Sequence, residues 1–402
     1  MPRESTDRLS GPLAEHARGF RTELAELGYS TSAAKKQVQM LAHLSHWLEA
    51  TGRPLAELNE ANAGPFFEQR RQDRRGNLLT TRSLAPLLGY LRRSGAVPRP
   101  QPPAPIGPTE VLLARYRTYL LSERGLAQGT ARSYLHVARM FVTARPERHE
   151  LGLEGSRAAE VMGFVSSACS GRSTSSTRQV VSALRCFLRF LQFEGVVPPT
   201  LDNAVLSVAG WAPPPPRAAS PAQVEAIMAS CDRSSALGLR DYAILALLAR
   251  LGLRDGEVVR LGLDDIDWRA GELAIERKGG RRDRLPLPAD VGEAIAGYLV
   301  HGRPHTSSRR VFVRHFAPKT GLAGTGAVTH LLAKACQRAG CAYVNPHGLR
   351  HSLASQMLAA GVSLYDIGQV LGHASATATA TYAKVDPKAL VELARPWPEV
   401  AP

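Results

Sequence analysis

The 402-residue sequence has only five cysteines, Cys169, Cys186, Cys231, Cys336 and Cys341. None forms a CxxC pair or a Cys/His cluster, which argues against a disulfide framework and against structural zinc. Cys186 lies in the apolar run LRCFLRF and reads as a small core residue. No stretch approaches the ~20 uninterrupted apolar residues of a membrane span, so no membrane partner is expected. The N-terminus, MPRESTDRLSG, lacks the apolar segment of a signal peptide, which points to a cytoplasmic setting. A carboxylate cluster able to hold two catalytic metal ions is also missing. Asp264, Asp265 and Asp267 lie together, but LDDIDW reads as a solvated turn with Ile266 and Trp268 buried. Lysine is scarce as well: after Lys36 none occurs until Lys278.

What is present is an ordinary globular composition, 44% hydrophobic and 21% charged, in a chain long enough for two or three domains. The net charge of +15 points to an acidic partner, with nucleic acid the first candidate. The excess is spread evenly. Basic against acidic residues number 15 to 10 in 1–108, 13 to 8 in 109–218 and 22 to 17 in 219–402. This suits a protein whose every domain meets a phosphate backbone, although a genome rich in Arg codons would give the same balance.

Two proline-rich stretches, 98–108 (PRPQPPAPIGP) and 211–221 (WAPPPPRAASP), are stiff spacers that continue neither a helix nor a packed core. They delimit an N-terminal helical domain (1–97), a second helical domain (109–210) and a C-terminal domain (222–386) with a tail (387–402). The first two domains look like copies. Phe20-Arg-Thr-Glu-Leu24 answers Tyr116-Arg-Thr-Tyr-Leu120, with Gly28 and Gly125 following; Thr81-Arg82 answers Thr177-Arg178, and Gly95-Ala-Val-Pro98 answers Gly195-Val-Val-Pro198. In the second copy Val180, Leu184, Phe187, Leu188 and Leu191 form one apolar helical stripe. Thr177, Arg178 and the serine run 170–176 either meet phosphate or form a solvated loop.

The last segment mixes elements. The pattern predicts helices at 221–231 (Ser220 capping, Pro221 in the first turn), 238–252, 290–302, 325–340, 347–360, 363–371 and 376–384. A β-hairpin is predicted over Glu272–Lys278, a Gly279-Gly280 turn and Arg284–Pro288, with a short strand at 311–313. The fold class is therefore mainly α with a small β-hairpin or sheet in the last domain.

Four pieces of this segment suit metal-free phosphodiester transfer. A pentacoordinate phosphorane gathers negative charge, and the forked guanidiniums of Arg254 (in LGLRDGE) and Arg350 (in HGLRH) are its natural clamp. Tyr382 offers an oxygen for a covalent ester, and His347, three residues before Arg350, is the candidate base. Lys278 is the candidate acid, because lysine gives up a proton that arginine retains; the neighbouring Arg277, Arg281 and Arg282 read as DNA contacts. His373, in LGH, would bind a remaining phosphate oxygen. Each piece alone has a plainer reading as a surface, capping or packing residue. Tyr343 and Tyr365 compete as nucleophiles by position, but Tyr365 falls in the pattern Leu364, Ile367, Val370, Leu371 and reads as core.

In this order, LGLRDGE, the hairpin lysine, HGLRHSLASQMLAAGVSLYDIGQVLGH and a tyrosine nine residues on resemble the active-site boxes of tyrosine recombinases, the phage-integrase family. The resemblance spans residues ~219–386. It implies an integrase-type catalytic domain in which Arg254, His347, Arg350 and His373 surround the phosphate, Lys278 is the general acid and Tyr382 the nucleophile. Glu257 matches a position that braces the site, and His351 a frequent structural histidine. The resemblance also implies that 109–210 is a SAM-like core-binding domain, that no metal or other cofactor takes part, and that a homotetramer acts on two double-stranded DNA sites. Sister recombinases are further candidate partners, and the nucleoid the candidate location. The full second helical unit departs from the usual pattern; length and the proline–tryptophan tail resemble transposon-associated recombinases of the recombinase-in-trio type. A topoisomerase or resolving enzyme with the same chemistry, and a catalytically idle DNA-binding partner, are the rival readings.

Overall fold

The computed structural model describes residues 10–60, 62–72, 81–99, 105–144, 153, 155–207, 218–277, 280–372 and 379. Lys278, His373 and Tyr382, the predicted helix at 376–384 apart from Thr379, the tail, and residues 100–104 and 211–217 of the two proline-rich stretches lie outside them. Chain contacts group Met1–Pro100 with Pro215–Pro402, and Gln101–Pro214 by itself.

Residues 10–97 form α1 (Ala17–Glu26), α2 (Thr31–Thr51), α3 (Gly64–Gln72) and α4 (Ala85–Arg93) around one apolar core. Ser30 caps α2 by accepting the Ala33 N–H, which satisfies a donor that has no partner inside the helix. In the second unit α5 (Pro108–Thr118), α6 (Gln128–Thr143), α7 (Ala158–Cys169) and α8 (Thr174–Phe193) enclose another core. Ser173 caps α8 in the same way, accepting from Ser176.

Each core repeats the other's pattern internally. Phe20 and Leu24 of α1 are fully buried, as are Tyr116 and Leu120 in the other core. Gly28 and Gly125 turn the chain at positive φ (+73° and +57°), where a side chain would be strained. Val97 and Val197, two residues beyond Gly95 and Gly195, are both buried. Each first helix is also tied to the end of its last by an ion pair, with the signs exchanged: Glu23 to Arg93, and Arg115 to Glu194.

The C-terminal region opens with α9 (Pro221–Ala229), where Ser220 and Gln223 cap each other's backbone and Pro221 starts the helix. The buried α10 (Ala236–Arg250) follows, then α11 (Asp255–Arg260) and an antiparallel sheet in the order β1 (Ile266–Asp267), β2 (Glu272–Glu276), β3 (Arg282–Pro286). Next come α12 (Ala289–Gly297), α13 (Thr325–Arg338), α14 (Pro346–Ala359) and α15 (Leu364–Leu371). The core runs from α9 to the start of α14, and a smaller cluster of Ala354, Ile367 and Leu371 joins α14 to α15.

Four local expectations are corrected. Residues 311–313 form no strand: all three side chains are buried and only the isolated bridges Gly262–Arg310 and Val313–Gly321 flank them. The hairpin's second strand begins at Arg282, two residues before the predicted Arg284, pairing with Glu276. Trp268 is 49% exposed, because the Asp267 carboxylate accepts the Arg269 and Ala270 N–H groups and turns the chain after two strand residues. Tyr365 is 74% exposed. On a helix whose buried face is Ile367 and Leu371, position 365 points some 200° away from Ile367.

Candidate active site

Arg254 enters the site from the end of α10. Gly252 turns the chain at φ +58°, and a Cβ there would stand 2.7 Å from a Leu371 methyl. Leu253 anchors the turn in the core, which leaves Arg254 at the N-cap of α11, half-buried. The N-cap side chain of an arginine accepts nothing; the Glu257 carboxylate does the capping instead, accepting the Arg254 backbone N–H at 2.8 Å.

Glu257 is 3% exposed and its two oxygens serve two guanidiniums. Oε1 accepts from Arg254 Nη1 at 2.8 Å and Oε2 from Arg277 Nη1 at 3.1 Å. Arg277 is equally buried, at 3%. It also donates Nε to Asp283 Oδ2 (3.2 Å) and Nη2 to the Val370 carbonyl (3.2 Å). The expectation that Arg277 is an exposed DNA contact is therefore corrected: it lies inside the domain, satisfied by two carboxylates and a carbonyl. Arg281 and Arg282 stay on the surface, paired with Asp283 (2.7 Å) and Asp265 (2.5 Å). Arg281, and behind it Arg277, hold the Asp283 carboxyl below the usual range.

The other half of the site is α14. Asn345 accepts the Gly348 N–H at 2.7 Å and Pro346 occupies the first turn, so the helix starts one residue before the predicted 347. His347 and Arg350 then fall on one face. Arg350 is 1% exposed; Nη1 donates to the Gly252 carbonyl at 2.6 Å and Nη2 to the Leu371 carbonyl, tying the ends of α10 and α15 together. His347 is solvent-open, yet its pKa is pushed below 6.5 by loss of hydration and by the charges of Arg350 and Arg254. His351, edge-on to His347 with ring centroids 4.5 Å apart, is pushed lower, to about 4, by burial, His347 and Arg350.

Arg254, His347 and Arg350 line one cleft of about 370 Å³, with Asp255, Thr329, Asn345 and Pro346. Two guanidiniums beside an imidazole held neutral at pH 7 can clamp a tetrahedral or pentacoordinate phosphate and accept a proton from its attacker. Asp255, Thr329 and Asn345 were missed by the sequence reading, although the Asn345-Pro346 pair is a helix-start signal. Thr177 and Arg178 are the fourth and fifth residues of α8, in the other unit, with Arg178 exposed. Tyr343 is exposed, like Tyr365, so burial excludes neither as a nucleophile. Asp264 and Asp265 pair with Arg309 and Arg282. Among the described residues, no group of three or more His, Cys, Asp or Glu side chains is placed to hold a metal ion, and no helix is long and apolar enough to cross a membrane.

Fold and cleft belong to a known class. Residues 218–389 match the phage integrase family model, and residues 113–195 that of the phage integrase N-terminal SAM-like domain. A protein named as an integrase/recombinase, y4rA of Sinorhizobium fredii, is 40% identical over 396 residues, covering 96% of this chain and 95% of its own. Tyrosine recombinase XerD of Mycobacterium tuberculosis is 32% identical, over 70% of this chain and 95% of its own. In fold, the XerH site-specific recombinase in its post-cleavage complex with palindromic difH gives a TM-score of 0.60 at 18% identity, over 73% of this chain and 98% of that one. A lambda integrase dimer on a COC′ core site gives 0.53 at 20% identity, over 72% and 98%. These define a tyrosine recombinase, an enzyme that cleaves and rejoins DNA. The chain belongs to the phage integrase family.

Proposed function

We propose that this protein is a site-specific recombinase serving a mobile element, working through a 3′-phosphotyrosine on Tyr382. The observation that carries the assignment of roles is the convergence of Arg254, His347 and Arg350 on one cleft. Tyr382 Oη attacks the scissile phosphorus while His347 takes its proton. The bond from phosphorus to the 5′-oxygen breaks, and Lys278 protonates the leaving oxygen. Arg254, Arg350 and His373 hold the non-bridging oxygens, Glu257 orients Arg254, and His351 packs behind His347. The reverse attack by the 5′-hydroxyl of a partner strand rejoins the DNA and frees Tyr382. No metal or other cofactor is required by this scheme.

Residues 109–210 and 222–386 act as core-binding and catalytic domains on the duplex, with Thr177, Arg178, Arg281 and Arg282 contacting phosphates. The repeated core supports reading 1–97 as a duplicate of the core-binding domain, joined by the linker 98–108, while 211–221 links to the catalytic domain and 387–402 forms a tail. A lambda integrase tetramer on a Holliday junction and the Tn1549 transposon integrase on circular-intermediate DNA, both of the same fold, support a homotetramer in a mobile-element context. Sister recombinases as partners and the nucleoid as location complete the proposal.

The test is made in cells. Wild type and Tyr382→Phe are expressed, lysed in denaturant without cross-linker, and the DNA that stays attached is sequenced. Adducts confined to wild type support the assignment and identify the sites. Adducts retained by Tyr382→Phe transfer the role to another tyrosine, with Tyr365→Phe and Tyr343→Phe next. No adduct in either protein favours an idle DNA-binding partner.

A further inference from the structure

We infer that Arg277 is a positioning residue that sets Lys278 against the phosphate clamp. β2 ends at Glu276, so Arg277 is the last described residue before the turn that carries Lys278. Its main chain closes that turn: its N–H donates to the Arg281 carbonyl at 2.7 Å, and its carbonyl accepts from Gly280 at 3.2 Å. Its side chain runs the opposite way, into the domain. There it reaches Glu257 of α11, Asp283 of β3 and the Val370 carbonyl of α15. One planar, permanently charged fork thus joins the lysine hairpin to the carboxylate that orients Arg254 and to the helix that ends just before His373. The passage is close. A Cβ on Gly372 would stand 2.6 Å from Arg277 Nε, so the residue preceding His373 leaves room for the guanidinium only as glycine.

A general acid is effective only when held within hydrogen-bond reach of the atom it protonates. A lysine side chain has a long stem with many rotamers, and the reach of its ammonium depends on how firmly the backbone that bears it is anchored. The buried fork of Arg277 supplies that fixed base, and the Glu257 oxygen it shares with the Arg254 backbone N–H keeps acid and clamp in one register.

The inference rests on Lys278 being the acid, and the experiment separates the two. Full-length wild type, Arg277→Ala and Lys278→Ala are given a nicked duplex carrying a site recovered from the adducts. The scissile phosphate has either its ordinary 5′-oxygen or a 5′-bridging sulfur, which leaves without a proton. Arg277→Ala is expected to lose about 100-fold or more in cleavage rate on the oxygen substrate. On the sulfur substrate it returns to within about 3-fold of wild type, as Lys278→Ala does, with duplex affinity unchanged. Equal loss on both substrates, with Lys278→Ala rescued, overturns the role of Arg277 and leaves that of Lys278 standing. Failure to rescue Lys278→Ala, or absence of adducts from wild type, removes the underlying assignment and this inference with it. Should Arg277→Ala not fold, Asp283→Asn weakens one contact without removing core volume. It is then expected to show a smaller loss with the same sulfur rescue, and no difference between substrates overturns the inference.

Discussion

Glu257 holds Arg254 at both ends: one carboxylate takes the backbone N–H and the guanidinium of the same residue, each at 2.8 Å, while also binding Arg277. A buried carboxylate shared between two cations fixes geometry more than it adds stability, but removing it leaves Arg277 buried beside the gap.

Glu257→Ala is therefore expected to cost about 3 kcal/mol of folding stability, with a loss of cleavage that exceeds any loss of DNA affinity. Chemical denaturation and filter binding on the same preparation check this. A stability within about 0.5 kcal/mol of wild type would mean that the carboxylate does not brace the arginines.

The His351 pair gives a pH signature. Its folded pKa of about 4 lies below the ordinary 6.5, so the unfolded chain takes up the proton first as the solution is acidified. The stabilising contribution is whole above pH 6.5 and drains away as the pH falls from 6.5 towards 4. Because the ring is half-buried and screened, about 1 kcal/mol is expected over that window. His351→Gln should flatten the stability profile there; a profile parallel to that of wild type would contradict the assignment.

Gly372 sits at φ +60° with the Arg277 guanidinium against it. Gly372→Ala is expected to lower stability by about 1–2 kcal/mol from the backbone alone. The displaced guanidinium adds a loss of cleavage. An unchanged melting temperature would show that the turn tolerates a side chain and that Arg277 does not occupy the space.

Lys35 and Lys36 stand exposed in α2 of the first helical core. If that core rests on duplex DNA, replacing both with glutamate should make the log–log salt dependence of binding shallower by about one to two units. An identical slope and footprint would place residues 1–97 off the DNA.

Much of this protein is written locally. The order of the boxes named the family. The serine caps before α2, α8, α9 and α15 are short-range chemistry, and the paired glycines and aromatic anchors of the two helical cores recur in the sequence as plainly as in the structure. What local pattern could not decide was direction. Arg277 is one more arginine in a basic hairpin until Glu257, twenty residues earlier, and Val370, far downstream, are folded against it; only then is it a buried strut while Arg281 and Arg282 remain outside. Tyr365 fell on the solvent side of an apolar helix, and Trp268 was turned outward by the Asp267 carboxylate, because a helix or strand pattern says which faces exist and packing chooses which one is covered. The residue types that can hold a phosphate were thus set by sequence. Which arginines line the cleft and which are held in place behind it was decided by tertiary contacts, some between segments more than ninety residues apart, such as Arg350 on the Gly252 carbonyl, that no local pattern encodes.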